Sequence, residues 1–204
     1  MIFIKHRMNR VRDLDQITSR QWGCEIDVRS DVHKPGRLLL SHDPWVQGED
    51  FSDWLKAYAK LGQTGPLIVN TKEDGLEEAV VALLEKNHIV NFFFLDSTLP
   101  TLVKWTIGKK KRYFALRISA YESFDSSATL TATVDWLWVD CFERVPLAPD
   151  QIYKIPIPNK VLVSPELQGG NEKDRERFLT LAETCTHICT KDPMGWVQLL
   201  GVQS

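Results

Sequence analysis

The apolar positions recur in one order: a short run of β-branched or aromatic residues, a polar turn, then a segment able to form a helix. The runs that read as strands are Ile2–Lys5, Gly23–Val28, Leu67–Asn70, Asn91–Leu95, Tyr113–Ile118, Trp136–Val139, Lys160–Val163 and His187–Cys189. Several of them, including Leu67-Ile-Val69 and Phe92-Phe-Phe-Leu95, are apolar throughout instead of alternating. That pattern suits strands covered on both faces, as in a parallel sheet.

Helical periodicity fills the gaps. Phe51–Leu61 sets Phe51, Trp54, Leu55, Tyr58 and Leu61 on one stripe, the spacing of a helix with one buried face. Asp74–Asn87 repeats it through Leu76, Val80, Leu83 and Leu84, with Asp74, Glu77 and Glu78 at the end where a helix favours negative charge. Asn171–Thr184 is amphipathic through Phe178, Leu181 and Ala182, and Pro193 suits the first turn of a last helix carrying Trp196, Leu199 and Leu200. Ser126–Val134, rich in Thr, and Pro146–Pro158, with four prolines, predict short or irregular connections.

Strand and crossover alternating along a single domain predict an α/β fold, a compact (β/α)8 TIM-type barrel. With 204 residues in the chain, each unit has about 25, near the small end for that fold. An open doubly wound sheet is the rival, disfavoured because no Gly-rich phosphate-binding turn follows the first strand.

Composition narrows the function classes. With 43% hydrophobic residues, 7 Trp and 9 Phe, the chain has ample apolar area to fold. Lys+Arg 25 against Asp+Glu 27 leaves a formal charge of −2, which recommends no nucleic-acid partner. No apolar run is long enough for a membrane span, and the apolar start at Met1 is broken by Lys5, His6 and Arg7 too early for a signal-peptide core. Cys24, Cys141, Cys185 and Cys189 lack a disulfide-framework spacing. Cys185 and Cys189 flank His187 but lack the second ligand pair a structural zinc site needs, so they read as packing groups. A cytoplasmic location is the expectation. Oligomeric state is not legible.

Barrel enzymes carry their chemistry at the carboxyl ends of the strands. Here the first strand ends at His6-Arg7, and the second carries Glu25 and Asp27, whose alternation points both side chains to one side. The extended run Arg37–Ser41 delivers His42-Asp43, and the third strand ends at Asn70-Thr71-Lys72. Unpaired carboxylates are costly in a setting as apolar as Glu25-Ile-Asp27-Val, so these groups are expected to share a site. Two carboxylates and an amide oxygen make hard ligands for Mg²⁺ or Ca²⁺. That cation, with Arg7 and Lys72, would neutralise a phosphate, and two histidines would serve as general base and acid. Asp43 would hold one imidazole in a useful tautomer.

The order His-Arg, Gly-Cys-Glu-Ile-Asp-Val, Leu-Leu-Leu-Ser-His-Asp-Pro and Asn-Thr-Lys resembles the glycerophosphodiester phosphodiesterase family of the phosphatidylinositol-phospholipase-C-like superfamily. The match spans about residues 1–72; His187-Ile-Cys-Thr-Lys-Asp192-Pro193 looks like the family's closing strand. The resemblance implies a metal-dependent phosphoric diester hydrolase with one divalent cation (Mg²⁺ or Ca²⁺). By position, His6 and His42 would be the acid/base pair, Glu25, Asp27 and Asn70 the metal ligands, and Arg7 and Lys72 the phosphate-facing cations. Arg117 and Glu166, at later strand ends, are further candidates for substrate contacts, with pairing of Arg117 to Glu122 or Asp140 as its structural alternative. The expected partner is a small soluble phosphodiester. Attack by water or by a neighbouring substrate hydroxyl, the latter a lyase reaction giving a cyclic phosphate, is left open.

Two departures bear on activity. Met8 stands where the family has Gly, and Asn70 where a third acidic ligand is common. They motivate a rival reading, a barrel that binds a phosphorylated ligand without turnover. Only 23 residues separate Asp43 from Leu67, room for little beyond one helix, so an open barrel mouth without a lipid-gripping cap is expected. Lys109-Lys-Lys-Arg112 reads as a solvated turn, with an anionic-partner patch as the alternative.

Overall fold

The structure, a computed structural model, describes residues 1–202 except 123, 127, 143 and 145. In chain order the strands are β1 (Ile2–Lys5), β2 (Gly23–Ser30), β3 (Leu38–Leu40), β4 (Glu49–Asp50), β5 (Leu67–Thr71), β6 (Phe92–Leu95), β7 (Ala115–Ser119), β8 (Trp136–Asp140), β9 (Asn159–Val163) and β10 (His187–Thr190). The α-helices are α1 (Phe51–Lys60), α2 (Glu77–Lys86), α3 (Leu99–Val103), α4 (Pro149–Lys154), α5 (Leu179–Ala182) and α6 (Pro193–Leu200).

Parallel pairing runs β7-β8-β9-β10-β1-β2-β5-β6. A parallel bridge between Phe94 and Phe114, with Phe94 N–H donating to the Tyr113 carbonyl at 2.9 Å, joins β6 to the start of β7. The expected eight-stranded barrel is therefore present and closes there. β3 and β4 stand outside the ring, pairing antiparallel with the end of β2 and with each other.

Two cores follow from strand alternation. Ile4, Ile68, Phe93, Trp136, Trp138, Val161 and Cys189 fill the barrel interior. Phe3, Ile26, Val28, Val69, Leu137 and Leu162 face outward and pack against Phe51, Trp54 and Val80 of the helices. On β2, with Cys24, Ile26 and Val28 in the outer core, Glu25 and Asp27 must point inward. Gly23 allows the backbone of β2 to approach the segment before β5, where a Cβ would collide with the Pro66 carbonyl.

Three connections differ from expectation. The helix expected over Asp74–Asn87 begins only at Glu77, because Gly75 takes φ +94 and breaks the turn before it. Asn171–Thr184 is not one helix: a 3₁₀ stretch, Glu172–Phe178, precedes the short α5, with Arg175 drawn inward against Glu166 and Asp192. After β6 the chain forms α3 and then a wider π turn, Lys104–Gly108, an element not read from the sequence. The Thr-rich segment forms a 3₁₀ stretch, Ala128–Thr133, and its residue 127 lies outside the described residues. Pro193 does open α6, helped by Asp192 accepting from Gly195 N–H at 3.0 Å and by left-handed Gly201 at its end.

His187, in the barrel wall, lies 5.1 Å from the Trp136 ring centroid and pairs with Thr186 Oγ1 at 2.7 Å. Burial, and then the charge of the amino terminus, push its pKa down from 6.5 to about 4. Between those values the unfolded chain binds a proton that the folded chain refuses. Stability is thus full above pH 6.5 and falls as the pH drops, by up to about 3 kcal/mol near pH 4. Denaturant unfolding at about pH 7 and pH 4.5 tests this: His187→Gln should lose less stability on acidification than the wild type. Equal losses would place the acid sensitivity elsewhere.

Candidate functional site

The carboxyl ends of β1, β2 and β5 bring His6, Arg7, Glu25, Asp27, Asn70 and Lys72 together. Glu25 Oε2 accepts from the Arg7 backbone N–H at 2.8 Å and lies 3.6 Å from His6 Nε2, while Oε1 accepts from Asn70 Nδ2 at 3.2 Å. Asp27 Oδ2 lies 3.9 Å from Arg7 Nε and Asp27 Oδ1 is 2.9 Å from Lys72 Nζ. Met8 packs inward from the first loop. Its side chain is buried, its N–H reaches the Glu25 carbonyl at 2.8 Å, and Arg7 takes the left-handed conformation, φ +54, that turns the chain.

Asn9 is a site residue that motif reading missed. Its Nδ2 donates to Asp27 Oδ2 at 2.7 Å and its Oδ1 accepts from the Asp27 N–H at 2.8 Å. One amide thus satisfies both the backbone and the side chain of Asp27. No local pattern signals it, because the pairing depends on how the loop after β1 folds over β2.

Burial and the neighbouring Asp27 push the Glu25 carboxyl well above the usual carboxylate range. His6 goes the other way: burial first and the Arg7 charge second lower its pKa to about 3, so it is neutral at pH 7. His42 is more open, and its Nδ1 lies 2.8 Å from Asp43 Oδ1. Asp43 is held below the ordinary carboxylate range first by that bond, with Arg7 among the charges contributing. His42, Asp43, Arg7 and Asn9 line one cleft of about 520 Å³. The two histidines therefore rest on different carboxylates, with Arg7 between the groups.

The remaining candidates are engaged with protein partners. Arg117 faces Asp96 at 3.2 Å, Glu122 at 3.2 Å and Asp140 at 2.7 Å. Glu166 accepts from Ser164 Oγ, from Thr190 Oγ1 at 2.5 Å and from the Lys191 N–H at 3.3 Å, and it faces Arg175, itself paired to Asp192 at 2.9 Å. These contacts tie loops across the barrel mouth. The four cysteines are free and buried, as packing groups would be.

The donor set suits a hard divalent cation in kind, with one charge fewer than three acids would give. Asn70 Oδ1 is buried without a hydrogen-bond donor, and Asp27 Oδ1, also buried, has only the Lys72 ammonium beside it. With Glu25, these are oxygen ligands of the type Mg²⁺ and Ca²⁺ take. Among the described residues no three His, Cys, Asp or Glu side chains are grouped for a metal; a third ligand here would have to be the Asn70 amide. An ion here would compete with Lys72 for Asp27 Oδ1.

No family model matches the sequence, and no curated protein matches it significantly. Solved structures do resemble it in fold. A protein from Galdieria sulphuraria assigned as a glycerophosphodiester phosphodiesterase has a TM-score of 0.74 at 13% identity, over 98% of this chain and 97% of that one. A phosphodiesterase from Oleispira antarctica, solved with its product sn-glycerol-3-phosphate, has a TM-score of 0.71 at 14% identity, over 98% and 96%. The glycerophosphodiester phosphodiesterase from Agrobacterium tumefaciens has 0.64 at 11%, over 97% and 99%. At these identities the likeness establishes a shared barrel fold along the whole length.

Replacing Asn9 by Leu should leave the Asp27 N–H and Oδ2 without their partner. The expected cost is roughly 1–3 kcal/mol of unfolding free energy, measured in denaturant. An unchanged midpoint would show that the Asn9 clamp does not hold Asp27.

Proposed function

We propose that this chain is a metal-dependent phosphodiesterase that cleaves a small soluble phosphodiester of the glycerophosphodiester type. The observation that carries the reading is the meeting of Glu25, Asp27, Asn70, Arg7, Lys72 and His6 at one end of the barrel, beside a cleft lined by His42. The likeness in fold to the phosphodiesterases named above supports it.

Glu25, Asp27 and Asn70 would hold the divalent cation, Mg²⁺ or Ca²⁺, which would supply positive charge to a non-bridging phosphate oxygen. Arg7, half-exposed at the cleft, and Lys72 add the charge that a displacement at phosphorus needs. His6 is neutral at pH 7, and with its pKa lowered to about 3 it is a weak base until the negative charge of a bound phosphodiester raises its proton affinity. His42, with Nδ1 on Asp43, presents Nε2 for the second transfer. One histidine removes the proton of the attacking hydroxyl, the P–O bond to the leaving alcohol breaks, and the other histidine protonates that alkoxide. Water as nucleophile yields an open phosphomonoester; a substrate hydroxyl yields a cyclic phosphate. Phosphorus NMR of the product separates these outcomes.

One observation favours a second reading. The Lys72 ammonium on Asp27 Oδ1, with Asn70 in place of an acid, gives the pocket an internal counter-charge without an ion. A barrel that binds a phosphorylated ligand without turnover would look like this. Calorimetric binding of a glycerophosphodiester with no product under Mg²⁺, Ca²⁺ or Mn²⁺ would select it.

Under the enzyme reading, His6→Ala and His42→Ala should each lower kcat about 10²–10⁴-fold with a much smaller change in KM. A chelator should abolish turnover, and added cation should restore it. Two single-histidine variants with wild-type rates would remove the mechanism. Asn70→Asp should tighten Mg²⁺ or Ca²⁺ binding in a calorimetric titration by restoring a charge; weaker binding would exclude Asn70 as a ligand.

A further inference from the structure

Between Asp96 and Glu122 the chain carries six cations (Lys104, Lys109, Lys110, Lys111, Arg112 and Arg117) and no acid, in a protein whose net charge is −2. α3 and the π turn that continues it lie in this stretch. Their inner face is ordinary: Leu102, Trp105 and Thr106 are buried. The outer face is not. Leu99 is 56% exposed, Val103 41% and Ile107 55%, where a surface helix should be polar.

Single exposed apolar residues need no explanation; three in a line do. Four-residue steps in an α-helix overshoot one turn of 3.6 residues, so a stripe at that spacing drifts round the helix. The π turn, closed by Lys109 N–H to the Lys104 carbonyl at 3.1 Å, is wider, and there the same step falls short of a turn. The two drifts oppose each other, and Leu99, Val103 and Ile107 form a straight apolar ridge.

Cations border this ridge. Lys104, Lys110 and Lys111 are exposed and, among the described residues, form no ion pair. Lys109 is tied to Glu78 at 2.5 Å and covers the Trp105 ring at 4.0 Å, and Arg112 is tied to Asp135 at 2.7 Å. α2 brings the nearby acidic side chains, with the Lys104 charge also felt at Glu78 and that of Glu85 at Tyr113. The Lys111 ammonium lies 6.0 Å from the Tyr113 ring centroid. The lysines without a carboxylate partner thus lie on the segment that bears the ridge and on the turn that follows it.

We propose that this face docks the protein on an anionic phospholipid bilayer, with the ridge Leu99–Val103–Ile107 in the headgroup boundary and Lys104, Lys110 and Lys111 on the lipid phosphates. An aliphatic ridge flanked by free lysines is the pattern of a helix lying in a membrane surface. A nucleic acid would use the cations but leave the ridge in water. No helix of the described residues is long and apolar enough to cross a membrane, and the contact proposed is with the bilayer surface.

Vesicle sedimentation with the full chain tests the proposal without any assay of turnover, so it stands or falls apart from the proposed reaction. Binding is expected to vesicles with roughly 30% phosphatidylserine in phosphatidylcholine, and not to pure phosphatidylcholine. It should weaken in about 0.5 M salt. Lys110→Glu with Lys111→Glu should cut the affinity at least about tenfold, and Val103→Ser with Ile107→Ser should cut it comparably. All four positions are exposed, and an unchanged thermal midpoint confirms that the variants are folded. No binding by the wild type at low salt would overturn the proposal. So would binding that survives the combined variant. Loss with the lysine changes but not with the serine changes would also overturn it, assigning the patch to soluble polyanions.

Discussion

The structure turns on the burial of two carboxylates, Glu25 and Asp27, on adjacent inward positions of one strand. Taking each from water costs several kcal/mol unless charge and hydrogen bonds are returned. The surrounding contacts return them. Arg7 supplies a backbone N–H to one and a guanidinium to the other, Asn9 and Asn70 supply amides, and Lys72 supplies an ammonium. The loop after β1 and the end of β5 are shaped by this demand, and so is the positive φ of Arg7.

The same logic continues round the mouth of the barrel. Arg117 gathers Asp96, Glu122 and Asp140 from neighbouring strand ends, and the buried Arg175 gathers Glu166 and Asp192. Both hubs neutralise their carboxylates within the protein. Even so, burial pushes the Asp140 carboxyl up and leaves its Oδ2 without a hydrogen bond. The β1–β2–β5 sector carries the same tension on two carboxylates of one strand. There Glu25 is pushed toward its neutral form, and Asn70 Oδ1 remains without a donor.

The fold was legible because each strand run is short, apolar and separated by helix-length spacing. The departures have local causes that pattern reading underweights. Gly75 delays α2, and the ion pairs of Arg175 interrupt the amphipathic segment after Asn171. No element is read from the sequence over residues 99–108, so the apolar ridge along α3 and the π turn has no counterpart in the sequence pattern. Only the exposure of Leu99, Val103 and Ile107 reveals it.

Sequence alone was enough to determine the strand-and-crossover rhythm, the inward aim of Glu25 and Asp27, and the placement of His6, Asn70 and Lys72 at strand ends, because alternation and periodicity are properties of consecutive residues. Which groups touch was decided by tertiary structure: His6 beside Glu25, Lys72 on Asp27, Asn9 clamping Asp27, and Arg117 and Glu166 bound to protein partners. Those pairings depend on barrel register and on how separate loops settle against one another, and a side chain at a strand end commits to whichever opposite charge the closed ring brings nearest.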